Sequence, residues 1–78
     1  MIDSIRFETN DKYYVVDCYD DMLGDLVVVC TYGSKYSRSA HRKIIKVESM
    51  AQAQGTIDRI VKGRYRHGYE RVKGRAVH

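Results

Sequence analysis

The sequence has no long hydrophobic run, no tryptophan, and only two cysteines among its 78 residues. No segment approaches the roughly 18 consecutive apolar residues of a membrane-spanning helix. The acidic N-terminal stretch also lacks the apolar core of a signal peptide. These absences predict a protein that neither inserts into a membrane nor is secreted, and they favour the cytoplasm.

The cysteines and histidines do not form a recognisable metal or catalytic motif. Cys18 and Cys30 fall within predicted strands, in a register that keeps their sulfurs apart, which predicts buried free thiols suited to a reducing cytosol. Two cysteines and three histidines lack the spacing of a zinc finger or ribbon. Neither His41 nor His67 stands in a motif with a nucleophile, and no glycine-rich phosphate loop precedes a helix. We therefore expect no metal, no cofactor and no enzymatic activity.

The chain length predicts a single domain spanning residues 1–78. A chain of this size buries only about 60% of the surface that its unfolded form exposes, which leaves little room for a deep catalytic cleft beside a core. We expect the folded core to cover about residues 4–72. Residues 73–78 are basic and short, and they are expected to fray unless this end of the chain adds an edge strand.

Alternating and β-branched segments predict four strands. A weak alternation over residues 1–9 indicates a first strand, which could lie at an edge of the sheet. Residues 12–19 should direct Tyr14 and Val16 toward the core, and residues 26–32 read as a buried central strand. Gly33 is expected to allow a sharp exit into an exposed loop over residues 33–40. The last strand, over residues 41–47, places Lys43, Ile45 and Val47 on one face.

One amphipathic helix follows the strands. Ser49 and Gln52 have the spacing of a capping box, in which each side chain binds the other residue's backbone amide. Apolar residues then recur at helical spacing, and Gly68 is the natural stop. Tyr69 should fold back against the last turn or the sheet. The predicted fold class is α+β, with an antiparallel sheet of about four strands and one C-terminal helix packed on it.

Charge is unevenly distributed along the chain. Residues 1–30 hold two basic and seven acidic residues (2 − 7 = −5), whereas residues 31–78 hold twelve basic and three acidic residues (12 − 3 = +9). This asymmetry favours a basic face that binds an anionic partner, although a solvated surface without a partner is the alternative.

Basic residues alternate with aromatic residues throughout the second half. Lysine and arginine neutralise phosphates, and an exposed tyrosine ring can stack on an unpaired or terminal base. Tyr32 and Tyr36 are the better surface candidates, whereas Tyr14, Tyr65 and Tyr69 are better explained as core or helix-docking residues. The predicted nucleic-acid-binding residues are Tyr32, Lys35, Tyr36, Arg38, Arg42, Lys43, Lys46, Lys62, Arg64 and Arg66.

Several short motifs follow one another in a fixed order over residues 6–71. They are Tyr13-Tyr14, Gly24 and Leu26, Tyr32-Gly33-Ser34, Val47, Glu48-Ser49 and Ala53, Lys62, Arg64 and Arg66, and Gly68-Tyr69. Their order and spacing resemble the WGR domain, whose signature tripeptide falls on Tyr32-Gly33-Ser34. This small module occurs in DNA-damage-responsive poly(ADP-ribose) polymerases and as a short bacterial protein.

The resemblance implies a non-enzymatic module that contacts DNA, at ends, nicks or single strands. In the polymerases, the signature tryptophan and arginine take part in contacts to a DNA end and to neighbouring domains. Here Tyr32 replaces the tryptophan and Ser34 replaces the arginine, while Lys35 and Arg38 lie close enough in sequence to supply a cation. The alternative function is a protein–protein interaction module that keeps the WGR fold but has lost the DNA contacts.

Overall fold

Residues 2–72 fold into one antiparallel sheet with a single helix packed on it, the predicted α+β arrangement. The structure is a computed structural model that describes the backbone of residues 2–72 and the side chains of residues 4–72. The predicted tail at 73–78 lies outside these residues. In chain order the elements are β1 (Ile2–Glu8), β2 (Lys12–Asp20), β3 (Leu26–Ser34), β4 (His41–Val47), α1 (Met50–Arg66) and β5 (Glu70–Val72).

The sheet has five strands rather than about four, in the order β4-β3-β2-β1-β5. The additional strand β5 pairs antiparallel with β1, so that Arg6 lies opposite Val72 and Glu8 opposite Glu70. The suggestion that the first strand is an edge strand is therefore wrong, because β5 covers its outer side. Among the described strands, β4 and β5 form the two edges.

The core lies between the helix and one face of the sheet. Phe7, Val16 and Val28 are almost completely buried on that face, and Ala53 and Ile57 are buried on the helix. The predicted inward orientation of Tyr14 and Val16 is confirmed. These apolar positions alternate along each strand and recur at three- and four-residue spacing on the helix, so the two hydrophobic surfaces meet.

The helix boundaries follow the predicted caps with one difference. The Ser49 hydroxyl accepts a hydrogen bond from the Gln52 amide at 3.1 Å, but the Gln52 side chain accepts from the amide of Glu48 at 2.7 Å, not from that of Ser49. At the other end, Gly68 has a positive φ of 85°, and the Tyr69 amide donates to the Arg64 carbonyl at 3.0 Å. This bond directs Tyr69 back toward the core, as predicted.

Gly33 does not have the predicted role in a sharp turn. Strand β3 continues through Gly33 to Ser34, and the exposed loop begins at Lys35. Gly33 does not have a positive φ. A Cβ at this position would lie 3.1 Å from the Ser39 carbonyl oxygen and 3.1 Å from the Tyr13 hydroxyl. Glycine is therefore favoured here by the close approach of neighbouring atoms.

The face of the sheet opposite the helix has a small apolar layer of its own. Val27 and Val29 point to this side, and each is only 2% exposed. On β3, Val29 lies between Thr31, which pairs with Arg42, and Val27, which pairs with Tyr19. The Arg42 guanidinium donates to the Tyr19 hydroxyl at 3.2 Å. Long polar side chains thus shield the valines. This second layer accounts for the consecutive buried residues of β3.

The two cysteines are buried free thiols, as predicted. Cys18 lies opposite Val28, and Cys30 lies opposite Val16. Burial raises the pKa of the Cys18 thiol, which disfavours the reactive thiolate. Within the described part of the chain, α1 is too short and too polar to cross a membrane.

Candidate nucleic-acid interface

Three aromatic rings stack across neighbouring strands on the helix-bearing face of the sheet. Tyr14 on β2 lies opposite Tyr32 on β3, which in turn lies opposite His41 on β4. The Tyr14 and Tyr32 ring centroids are 5.3 Å apart with 12° between their planes, and those of Tyr32 and His41 are 5.4 Å apart with 26° between planes. We call Tyr14, Tyr32 and His41 the aromatic stack. Direct cross-strand pairing produces it, because paired residues point to the same face.

The helix contributes a cation to the inner end of the aromatic stack. The Arg64 guanidinium lies over the Tyr14 ring at 4.2 Å and over the Tyr69 ring at 5.0 Å. Both distances fall within the range of cation–π attraction. The Nε atom of Arg64 is buried and has no hydrogen-bond partner among the described residues. Arg64 is therefore mainly a structural residue that joins the helix end to the sheet, although we also predicted it as a phosphate contact.

The Tyr14 hydroxyl lies partly buried at the inner end of the aromatic stack. Desolvation raises the pKa of this hydroxyl above its ordinary value, and the neighbouring Cys30 thiol raises it further.

The connections between strands give the two ends of the sheet different net charges. The β1–β2 turn, the β3–β4 loop and the C-terminus of α1 share one end, which we call the basic end. The β2–β3 loop and the start of α1 share the other, acidic end. The basic end carries Lys12, Lys35, Arg38, His41, Arg64, Arg66 and His67 beside the carboxylates of Glu8, Asp11 and Glu70. The acidic end carries Asp20, Asp21, Asp25 and Glu48 beside Lys46.

Several of the predicted binding cations already have a partner. Lys35 forms an ion pair with Glu8 at 2.9 Å, and Lys46 forms one with Asp25 at 3.3 Å. Arg42 is hydrogen-bonded to Tyr19 on the helix-free face. The two carboxylates reduce the net charge that Lys35 and Lys46 offer to a phosphate.

The ten predicted residues do not converge on one surface. Strand alternation places Arg42 and Lys46 on the helix-free face and Lys43 on the opposite face. Lys62 and Arg66 lie on the solvent-facing side of the helix. The loop that holds Lys35, Tyr36 and Arg38 adjoins the aromatic stack, as do Lys43 and Arg64 on the helix-bearing face.

The two tyrosines predicted as surface residues differ in exposure. Tyr36 is 82% exposed in the β3–β4 loop, whereas Tyr32 is only partly exposed. Tyr14 covers one face of the Tyr32 ring, and His41 covers the other. The geometry leaves no open ring face on Tyr32 for a further stacking partner, so the prediction of Tyr32 as a surface platform needs correction.

An open depression of about 380 Å³ adjoins the inner end of the stack. Its walls come from the β1–β2 turn and the end of the helix, and they include Lys12, Arg64 and His67 together with Asp11. The Nδ1 atom of His67 lies 2.7 Å from the Gly63 carbonyl oxygen, which fixes the ring at the helix end. The depression adds a mostly basic concavity to the same end of the sheet.

His41, Lys12 and His67 also belong to this region, although none of them is among the ten predicted binding residues. The available signal for His41 was its place at the start of the basic strand, where hairpin pairing with β3 could bring it opposite Tyr32.

Among residues 4–72, no three histidine, cysteine or acidic side chains come together as potential metal ligands.

Comparisons with protein-family models, with curated proteins and with solved structures found no match to this chain. The resemblance to the WGR domain therefore stays a prediction from the sequence, and arguments about function depend on the site itself.

Proposed function

We propose that the protein is a non-enzymatic nucleic-acid-binding module that contacts the phosphate backbone through its basic end, at DNA ends, nicks or single-stranded segments. The observation that carries this proposal is the uneven charge along the sheet: five lysine and arginine side chains outnumber three carboxylates at one end, whereas four carboxylates outnumber one lysine at the other.

Charge separation of this kind favours an oriented encounter with a polyanion. Phosphates are attracted to the basic end and repelled by the acidic end, so only one end of the sheet is presented to the nucleic acid. Arg38 and Lys43 are exposed, and no ion pair involves either of them among the side chains of residues 4–72. We assign the main phosphate contacts to Arg38 at the basic end and to Lys43, which lies two residues along β4 from His41. Lys12 and Arg66 lie at the same end of the sheet as Arg38, and Lys35 is shared with Glu8.

The resemblance to the WGR domain supports the same surface. The signature tripeptide lies at the end of β3, next to the loop that carries Arg38. Ser34 offers no cation, and its hydroxyl accepts a hydrogen bond from the Tyr36 amide at 3.0 Å. In this proposal, the neighbouring loop and strand β4 provide the positive charge that the signature arginine provides in the polymerases.

Fluorescence anisotropy with blunt, nicked and closed circular DNA and with a single strand tests the proposal. Each neutralised phosphate should contribute about −0.9 to the slope of the logarithm of the binding constant against the logarithm of the salt concentration on duplex DNA, and about −0.7 on a single strand. Arg38→Gln should reduce the magnitude of the slope by about that amount. Arg59→Gln, an exposed change near the middle of the helix, is the matched control and should leave it unchanged. Affinity weaker than millimolar at low salt for every form would reject the proposal.

A second candidate function is a protein–protein interaction module. It is favoured by the exposed apolar side chains of the β2–β3 loop, where Met22 is 96% and Leu23 84% exposed, and by the loss of the signature tryptophan and arginine. A stoichiometric protein partner that remains bound after nuclease treatment would favour this function. Recovery of a partner that nuclease abolishes would favour nucleic-acid binding.

A further inference from the structure

The aromatic stack ends at an edge of the sheet. It begins at Tyr14, which is covered by Arg64, and passes through Tyr32 to His41 on β4. Strand β4 is the outermost strand on this side, and His41 is exposed. Its imidazole has one face against Tyr32, and no further strand of the described chain lies beyond the other.

The position beyond His41 is where a further ring would continue the stack. Neighbouring strands are spaced by about 4.8 Å, and the two ring-to-ring distances of 5.3 and 5.4 Å follow that spacing. A planar group placed one step outward would meet the open face of the imidazole. Every nucleobase offers a flat π-face of this kind, whereas the sugar–phosphate backbone does not.

We propose that His41 is the stacking platform for an unpaired nucleobase, and that the protein prefers a single strand or a frayed end to a closed duplex. This inference rests on the proposed nucleic-acid function and assigns the part of the ligand that the surface selects. A base within a closed duplex already has both faces stacked on its neighbours, so only an unpaired or terminal base can use the platform.

The stack holds His41 in place before any ligand binds. Tyr32 fixes one face of the imidazole, and Tyr14 and Arg64 support Tyr32 from behind. Tyr36 is the other exposed ring in this region, but it stacks on no other ring of the described residues, so it must lose rotamer freedom on binding. Pre-organisation therefore favours His41 over Tyr36.

A cation lies beside the platform. Lys43 is two residues from His41 on the same face of β4, about 6.6 Å along the strand. It lies opposite Cys30, and its side chain is exposed. An ammonium group in this position can reach the phosphate next to a base that stacks on His41.

The test compares three forms of the full chain: wild type, His41→Gln and His41→Phe. Glutamine keeps a polar side chain but removes the ring, whereas phenylalanine keeps a ring and cannot carry a charge. Each is titrated with a short single strand containing the fluorescent base 2-aminopurine, with the matching duplex, and with a strand that is abasic at the same position. Far-UV circular dichroism checks that each variant is folded.

We expect His41→Gln to weaken single-strand binding by about 5- to 150-fold, the range that loss of one base–aromatic stack produces. His41→Phe should retain binding to within a few-fold, and the wild type should quench 2-aminopurine and bind the abasic strand more weakly. Equal single-strand affinity for wild type and His41→Gln would overturn this inference while leaving phosphate binding intact. Absence of binding by the wild type to any nucleic acid would instead reject the proposed function, and this inference with it.

Discussion

Replacement of Arg64 by alanine tests whether the cation held between two tyrosine rings stabilises the fold. Arg64 contacts Tyr14 at 4.2 Å and Tyr69 at 5.0 Å, and each cation–π contact of a partly exposed arginine is worth about 0.5 to 1 kcal/mol. The half-buried aliphatic stem adds roughly 1 kcal/mol of packing. Against these contributions stands the buried Nε atom without a partner, whose desolvation costs on the order of 1 kcal/mol.

The favourable contributions exceed the desolvation cost, so we expect Arg64→Ala to lower the free energy of unfolding by about 1 to 2 kcal/mol. For a domain of this size, that loss corresponds to a fall of roughly 4 to 16 °C in the melting temperature. Arg66→Ala is the matched control. It removes an exposed arginine two residues away on the solvent-facing side of the helix and should change stability by less than about 0.5 kcal/mol.

Urea unfolding followed by circular dichroism measures both variants, and the slope of unfolding free energy against urea should be unchanged. A double-mutant cycle with Tyr69→Leu should yield a coupling energy of about 0.5 to 1 kcal/mol. If Arg64→Ala is as stable as the wild type, the buried nitrogen outweighs the ring contacts, and the reasoning that assigns Arg64 a stabilising role is refuted.

Two further predictions concern strand residues that contact the β3–β4 loop, Gly33 on β3 and Glu8 on β1. Gly33→Ala should destabilise the protein by about 1 kcal/mol, because the new Cβ crowds the Ser39 carbonyl and the Tyr13 hydroxyl. We expect this steric cost to exceed the stabilisation that alanine provides by restricting the unfolded chain. A variant that is more stable than the wild type in thermal unfolding would contradict this. A hydrogen bond from Arg6, and to a smaller extent one from Lys35, lowers the pKa of the Glu8 carboxyl. The ion pairs of Glu8 therefore stabilise the fold fully above the pKa of the unfolded state, and this stabilisation is lost as the pH falls through the lower pKa of the folded state. The stability difference between wild type and Glu8→Gln should be at most about 1 kcal/mol at pH 7 and should shrink toward pH 3, whereas a difference independent of pH would contradict the ion-pair account.

Local patterns were sufficient to predict most of the fold. The alternation of Lys43, Ile45 and Val47 predicted that they share one face of β4, and Ser49 and Gly68 marked the helix ends. Gly33 was misread because a glycine after an apolar run is compatible with both a turn and a crowded strand position, and only the fold reveals the nearby Ser39 carbonyl. Strand β5 has only three residues, too few for a recognisable alternation.

The candidate site was less accessible to sequence reasoning because it depends on contacts between distant residues. Alternation alone separates Arg42 from Lys43, yet both were placed on one predicted surface. The partners of Lys35 and Lys46 come from the acidic first half of the chain, and the pairing of strands determines which carboxylate each lysine reaches. His41 could be assigned only from the β3–β4 register, which a six-residue loop does not fix in advance.

The most direct test of nucleic-acid binding at the basic end is an NMR titration of the labelled protein with a short single strand at low salt. We predict that the largest amide shift changes occur in the β1–β2 turn around Lys12, in residues 35–43 and in residues 64–67, and that they diminish as salt is added. Residues 20–25, at the acidic end, should change little. Shift changes concentrated on the acidic end or on the helix-free face, or no changes at all, would contradict the account.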